Sequence, residues 1–188
     1  MPFVPEKPQT IGEVLDRAFR LFRVAFKPCL GLSFAYAVLS SIGGFAQVIL
    51  IPEGGVPEPG TLLIVAGFLL TASLVSMVFL TAIIDQIDGI ARGKAPSAGE
   101  SLTVGTRLWG RQVGAILLYS LAILIGLVLL LIPGFILMIS LLLCWVLIVI
   151  EDLGPVESLR RSHRLVWGNW WRTATVLTIA GMVYMIPV

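Results

Sequence analysis

Residues 113–150 read VGAILLYSLAILIGLVLLLIPGFILMISLLLCWVLIVI, a stretch without a single Asp, Glu, Lys or Arg. Pro133-Gly134 divides it into Val113 to Ile132 and Gly134 to Ile150. Each part is close to the roughly 20 apolar residues that a helix needs to cross a hydrocarbon layer about 30 Å thick. Neither part alternates with a period of two, which argues against barrel strands and for helices. Pro133 ends an outgoing helix and can open a returning one, so the stretch predicts a transmembrane hairpin.

Two further charge-free runs precede this hairpin, Leu30 to Ile51 and Thr61 to Ile84, and a shorter one, Thr173 to Ile186, follows it. Across the chain 57% of residues are apolar and 13% charged, the latter about half the share usual in soluble domains. So few charges cannot cover a water-facing surface. The expected fold is therefore an all-α polytopic helical membrane protein. The first ten residues carry Pro2, Pro5, Glu6 and Pro8 in place of a basic start and an apolar stretch, so no cleavable signal is expected. Cys29 and Cys144 lie beside or inside different spans and are expected to be packing residues, with no disulfide framework.

All thirteen Lys and Arg fall in three places. Lys7, Arg17, Arg20, Arg23 and Lys27 precede the first run; Arg92, Lys94, Arg107 and Arg111 lie between the second and third; Arg160, Arg161, Arg164 and Arg172 follow the fourth. The intervening connections, Pro52 to Gly60 and Pro133-Gly134, carry no positive charge. Basic residues near span ends are retained on the cytoplasmic side. The N-terminus is thus expected to be cytoplasmic, with odd spans running outward.

Each basic stretch repeats one pattern, Glu, any residue, Leu, then Arg-Leu after four more: Glu13/Leu15/Arg20/Leu21, Glu100/Leu102/Arg107/Leu108 and Glu157/Leu159/Arg164/Leu165. Three residues before each Glu stands a residue suited to the N-cap, Thr10, Ser97 or Gly154, and in the first two the Glu can complete a capping box. In the third, Pro155 takes the first helical position. At about 100° per residue each stretch is amphipathic; in the third, Leu159, Val166 and Trp170 oppose Glu157, Arg160 and Arg164. Trp109, Trp167, Trp170 and Trp171 stand in or beside these stretches, at the depth indole rings favour. The first, third and fifth runs end in Ile51-Pro52, Ile132-Pro133 and Ile186-Pro187.

The repeat expected is thus an amphipathic interfacial helix plus a transmembrane hairpin, in units of approximately 10–84, 97–150 and 154–188. The third unit lacks its return span, as a fragment of a six-span protein would. Glu and Arg of each repeat are seven residues apart, two turns along one face, too far for a direct pair. They form either a solvated polar face or a collar in which Glu of one repeat meets Arg of the next, as Glu100 with Arg164.

Asp85-Gln86-Ile87-Asp88-Gly89-Ile90-Ala91-Arg92 resembles the first half of the CDP-alcohol phosphotransferase signature. In the second half, Gly99 is followed by Thr103 and Arg107 where that family has aspartates. Two carboxylates alone are a weak magnesium site, so no metal, cofactor or catalytic residue is assigned. His163 has no partner at metal-ligand spacing and reads as an interfacial aromatic. No ionisable residue falls inside a run, although ion-coupled transporters usually carry one. Small residues at four-residue steps, Ser33, Ala37 and Ser41, then Ala72 and Ser76, would admit close helix approach.

Leu131-Ile132-Pro133-Gly134-Phe135-Ile136, Glu151, Glu157-Ser158-Leu159-Arg160-Arg161-Ser162 and Trp167-Gly168-Asn169-Trp170 together resemble a bacterial membrane-domain family. Its members are fused to some glycerophosphoryl diester phosphodiesterases or stand alone as YciC-like inner-membrane proteins. The resemblance implies a six-span helical domain of the bacterial inner membrane and no activity of its own. The expected function is a non-catalytic integral membrane module that engages anionic lipid, or a membrane or cytoplasmic protein partner, through its cytoplasmic helices. Nucleic acid is not expected, because membrane spans separate the basic stretches. The contacts fall to Glu13, Arg20, Glu100, Arg107, Trp109, Glu157, Arg164, Trp167, Trp170 and Trp171. The alternative is a transporter or channel for a lipid-like or neutral solute, since repeats often frame a central site, and a weaker alternative is a CDP-alcohol phosphotransferase-like enzyme.

Overall fold

The computed structural model describes residues 10–50, 58–129 and 131–185, and among them there is no strand. Seven helices follow one another: α1 Ile11–Leu50, α2 Pro59–Ala91, α3 Ala98–Leu129, α4 Leu131–Leu141, α5 Cys144–Ile150, α6 Pro155–Trp167 and α7 Trp170–Met185. The first three contain segments long and apolar enough to cross a membrane, and Gly134–Ile150 is a shorter apolar stretch. The chain is an all-α polytopic membrane protein. Lys7, the leading prolines, most of the Pro52 to Gly60 connection, and the Ile51-Pro52 and Ile186-Pro187 echoes lie outside the described residues.

Burial follows side-chain size in the sense that lipid dictates. Fully buried positions are dominated by small groups such as Ala82, Ser101, Ala115, Ser140, Cys144, Ser158 and Ser162, while Phe34, Leu63 and Val128 are 68%, 75% and 80% exposed. Apolar side chains gain nothing by leaving hydrocarbon for a protein interior, so close backbone approach decides which faces meet. Both cysteines are buried and free. The Ser33/Ala37/Ser41 stripe of α1 is exposed, so close approach is made elsewhere.

Two compact units divide the helices. One holds α1 from Val24, α2 to Ile90 and Lys94–Trp109. Helix α2 continues through the Asp85–Ala91 string and ends in a glycine cap: Gly93 has φ +78°, and the Lys94 N–H donates to the Gly89 carbonyl at 2.8 Å. This is a Schellman-type termination. A Cβ on Gly89 would stand 2.6 Å from Pro96 Cγ, so Gly89 clears the returning chain. Asp85 Oδ2 accepts from the buried Ser101 hydroxyl at 2.7 Å, tying α2 to α3. Four residues on, a Cβ on Gly105 would collide with the Val78 carbonyl oxygen. The Trp109 indole N–H donates to the Leu74 carbonyl at 2.9 Å.

The other unit holds α1 up to Arg23, then α3 from Gly110 with α4 to α7. The sequence places a turn at Pro133-Gly134, but α4 already begins at Leu131, so Pro133 lies in its first turn, where a missing N–H costs nothing. Gly126 and Gly134 let the two helices touch: a Cβ on Gly126 would lie 3.0 Å from Gly134 Cα.

The fourth run is not one helix. It breaks at Leu142 and Leu143, where no Gly or Pro marks the site, and the break leaves the last α4 carbonyls without their helical partners. Other groups take them. Tyr119 OH reaches the Met138 carbonyl at 3.4 Å, Leu142 N–H donates to Ile139 at 3.4 Å, and the buried Ser162 hydroxyl donates to Ser140 at 2.7 Å. Gln112 Nε2 donates to the Trp145 carbonyl in α5 at 3.3 Å.

In the first two repeats the basic stretch and its span form one continuous helix, α1 or α3; only the third repeat separates them, as α6 and α7. Gly168-Asn169 makes that break, and the Asn169 carbonyl starts α7 by accepting from Thr173 N–H at 3.0 Å. The face that α6 buries follows its periodicity, with Val166 buried, Leu159 and Trp170 partly so, and Glu157, Arg160 and Arg164 exposed. Its buried residues are Ser158, Ser162 and Val166, packed against α4 and α5, whereas Leu165 and Trp167 are exposed.

Gly105→Ala is expected to lower stability by about 1–3 kcal/mol through overpacking, whereas Gly110→Ala, with open space around its Cβ, is expected to be neutral or stabilising by up to about 1 kcal/mol. Thermal unfolding of the detergent-solubilised protein reads both; equal effects would refute the α2–α3 contact. Ser162→Ala is expected to cost about 1–3 kcal/mol by leaving the Ser140 carbonyl without its donor. An unchanged melting temperature would count against that role.

Candidate functional site

The described features that could take a ligand converge on α6. Gly154, in extended conformation, leads into Pro155 at the first helical position, as the sequence predicts. The segment before it is pinned by Arg111, whose Nη1 donates to the Asp152 carboxylate at 2.7 Å and to its carbonyl at 2.9 Å. Asp152 adopts φ +52° there, a conformation short polar side chains tolerate better than most.

From this start, Glu157, Arg160, Arg161 and Arg164 share the face of α6 opposite its buried serines. With Glu151, Leu153 and Val156 they line an open cleft of about 470 Å³. Arg161 Nε pairs with Glu151 Oε2 at 3.4 Å, both side chains partly exposed. A surface pair of this kind contributes little to stability. Three guanidiniums and two carboxylates at one cleft leave a positive balance. Guanidinium forks suit phosphate or carboxylate oxygens.

Beyond Arg164 the character changes. Trp167, Trp170 and Trp171 enclose, with Phe135 and Ile136 of α4, a groove of about 440 Å³. Its lining is aromatic and aliphatic. Trp170 and Trp171 meet edge to face at 4.9 Å, and the His163 ring lies 4.9 Å from that of Trp167. Three polar atoms of this region are buried without a hydrogen-bond partner: Ser140 Oγ, His163 Nδ1 and Trp170 Nε1.

Thus the structure brings together Glu157 with Arg164, and Trp167 with Trp170 and Trp171. Of the remaining site residues expected from sequence, Glu13, Glu100 and Arg20 make contacts within their own repeats, while Trp109 reaches the first repeat. Thr10 N–H donates to Glu13 Oε2 and Ser97 N–H to Glu100 Oε2, each at 2.8 Å, while Glu13 N–H and Glu100 N–H donate back to the Thr10 and Ser97 hydroxyl oxygens at 3.4 and 3.3 Å. Both capping boxes are therefore formed. Donation from the Thr10 backbone, then its side chain, holds the Glu13 carboxyl below the ordinary range; Ser97 does the same for Glu100. Both stand well ahead of the charge-free runs. Arg20 pairs with Asp16 one turn away at 2.9 Å. Arg107 is exposed on α3, and Trp109 holds the Leu74 carbonyl with its ring partly exposed.

Arg160 and Arg161 belong to the cleft although they were not among the contacts expected from sequence. Their spacing from Glu157 and Arg164 at three- and four-residue steps was the available signal. Glu151, Phe135 and Ile136 join through packing, and the only signal for them was their place among the residues that carry the family resemblance. The aspartates of the phosphotransferase-like string do structural work in part, since Asp85 holds Ser101. Among the described residues no group of three or more His, Cys, Asp or Glu is placed to hold a metal.

An all-α membrane protein with a basic, aromatic helix at its candidate site is thus defined, and its relatives agree. Residues 87–187 match the family described as "Domain of unknown function (DUF7847)", and the chain belongs to that family. A UPF0259 membrane protein of Pectobacterium carotovorum subsp. carotovorum is 34% identical over 109 residues, covering 57% of this chain and 44% of the relative. The chain thus spans less than half the length of that relative. These likenesses place it in an uncharacterised bacterial membrane-protein family. No solved structure matches the chain.

Proposed function

We propose that the protein is a non-catalytic module of the bacterial inner membrane that engages anionic lipid through α6. The observation that carries this reading is that a guanidinium-lined cleft and an aromatic groove meet at the end of α6, where Arg164 lines one and Trp167 the other. A phospholipid presents the complementary pair, an anionic headgroup and an apolar body. Each basic residue near an anionic leaflet contributes about 1 kcal/mol, so the three arginines of the cleft are enough to bias which lipid resides there. The N-terminus is cytoplasmic in this reading, because the basic stretches share one leaflet. The likeness to domains fused to glycerophosphoryl diester phosphodiesterases is taken as a likeness of membrane domains alone. A membrane or cytoplasmic protein is the other partner this surface suits.

Reconstituted in nanodiscs of mixed phosphatidylglycerol and phosphatidylcholine, the protein is expected to enrich phosphatidylglycerol around itself. Arg160→Gln with Arg164→Gln should remove most of that enrichment without altering the fold. Equal lipid composition around both proteins would defeat the proposal. Orientation is checked separately: a cysteine placed at Arg172 should resist impermeant thiol reagents added outside intact cells, and rapid labelling would reverse the assigned topology.

A further inference from the structure

We propose that the α6 cleft selects a phosphodiester headgroup with free hydroxyls, as in phosphatidylglycerol, and that Glu157 reads those hydroxyls by accepting their hydrogen bonds. The proposal rests on the cleft being an anionic-lipid site and adds which headgroup it takes. The first observation is that Glu157 is not used as its counterparts are. Glu13 and Glu100 accept from the Thr10 and Ser97 backbone N–H groups and close capping boxes. In the third repeat the N-cap is Gly154, and α6 has no side-chain cap hydrogen bond. Among the described residues no hydrogen bond or ion pair engages the Glu157 carboxylate, which lines the cleft instead. The other acid there, Glu151, is taken by Arg161 at 3.4 Å. Glu157 is thus the carboxylate left to a ligand.

The second observation is order along the helix. Glu157, Arg160, Arg164 and Trp167 follow at steps of three, four and three residues and so form one strip of the α6 surface. The first three line the cleft, and Trp167 lines the aromatic groove. A phosphate on the two guanidiniums, with its chains toward Trp167, sends the far end of the headgroup toward Glu157. At about 1.5 Å per residue, Glu157 stands about 4.5 Å along the axis from Arg160. A hydroxyl two or three carbons beyond the phosphate ester has that reach.

Charge narrows the class further. Three guanidiniums and two carboxylates leave the cleft one net positive charge. A phosphodiester matches it with one negative charge, whereas a phosphomonoester exceeds it at neutral pH. Ethanolamine and choline headgroups carry their own cation and bring no net charge. A hydroxyl donates to Glu157 without adding any.

The test uses the full chain in nanodiscs and measures, by native mass spectrometry, the lipid retained after detergent exchange. Four lipids with the same acyl chains are compared: phosphatidylglycerol, phosphatidylethanol, phosphatidylethanolamine and phosphatidylcholine. Phosphatidylethanol has the charge of phosphatidylglycerol and no hydroxyl. The wild type is expected to retain phosphatidylglycerol over phosphatidylethanol by about 3- to 10-fold, the value of one hydrogen bond, and both over the net-neutral lipids. Glu157→Ala should bring the first ratio to unity and leave both anionic lipids ahead of phosphatidylcholine. Glu157→Gln, whose amide oxygen still accepts, should keep part of that ratio.

A ratio of unity in the wild type, or a ratio that survives Glu157→Ala, overturns the proposal, while a lead of both anionic lipids keeps the cleft reading. Phosphatidylethanolamine retained ahead of phosphatidylglycerol overturns it in favour of a zwitterion with its ammonium on Glu157. A loss in Glu157→Gln as complete as in Glu157→Ala assigns the effect to charge and overturns the hydrogen bond. Anionic and neutral lipids retained alike defeat the cleft reading itself. Glu157 is exposed, so neither substitution removes packing; should one fail to fold, the wild-type ratio decides.

Discussion

A helix in hydrocarbon must satisfy its backbone polar groups from within the protein, because no water is available to do so. That constraint governs the α3–α6 region. The interruption at Leu142 and Leu143 frees carbonyls at the end of α4, and a tyrosine from α3, a local N–H and a serine from α6 take three of them. Ser162 is therefore the link by which a basic helix is held against an apolar one. The cleft and the groove both depend on that docking, since each is lined by α6 together with residues from the segments before it.

Small side chains supply the remaining order. The unnamed position of the Glu-x-Leu pattern is Ser101 in one repeat and Ser158 in the next, and both are fully buried. Four residues later stand Gly105 and Ser162, also buried. In the first repeat these places hold Val14 and Ala18, which are more exposed. The conspicuous Glu and Arg of the repeat cap helices or face outward, so the pattern read from charge conceals a packing pattern written in serine and glycine. Serine suits this use because it is small enough for close approach and brings its own donor.

What was legible in the sequence was local or compositional. The apolar runs gave the long helices, and the capping boxes at Thr10 and Ser97 could be foreseen because three residues of spacing contain the whole interaction. The α4–α5 break could not, since neither Gly nor Pro announces it. By contrast, the buried face of α6 was legible, since Val166 is buried and Leu159 and Trp170 partly so, opposite the exposed Glu157, Arg160 and Arg164, as a period of about 100° per residue requires. Of the site, Glu157, Arg164 and the three tryptophans were named from spacing and residue type. Phe135 and Ile136 enter only because α6 turns back along α4.

The forty-residue length of α1 has a mechanical meaning. A helix of that length extends about 60 Å, twice the hydrocarbon thickness of about 30 Å. Unless steeply inclined, such a rod keeps much of its charged portion clear of the bilayer. Pro28, where the charged portion gives way to the apolar run, removes one backbone hydrogen bond and supplies a natural flexure.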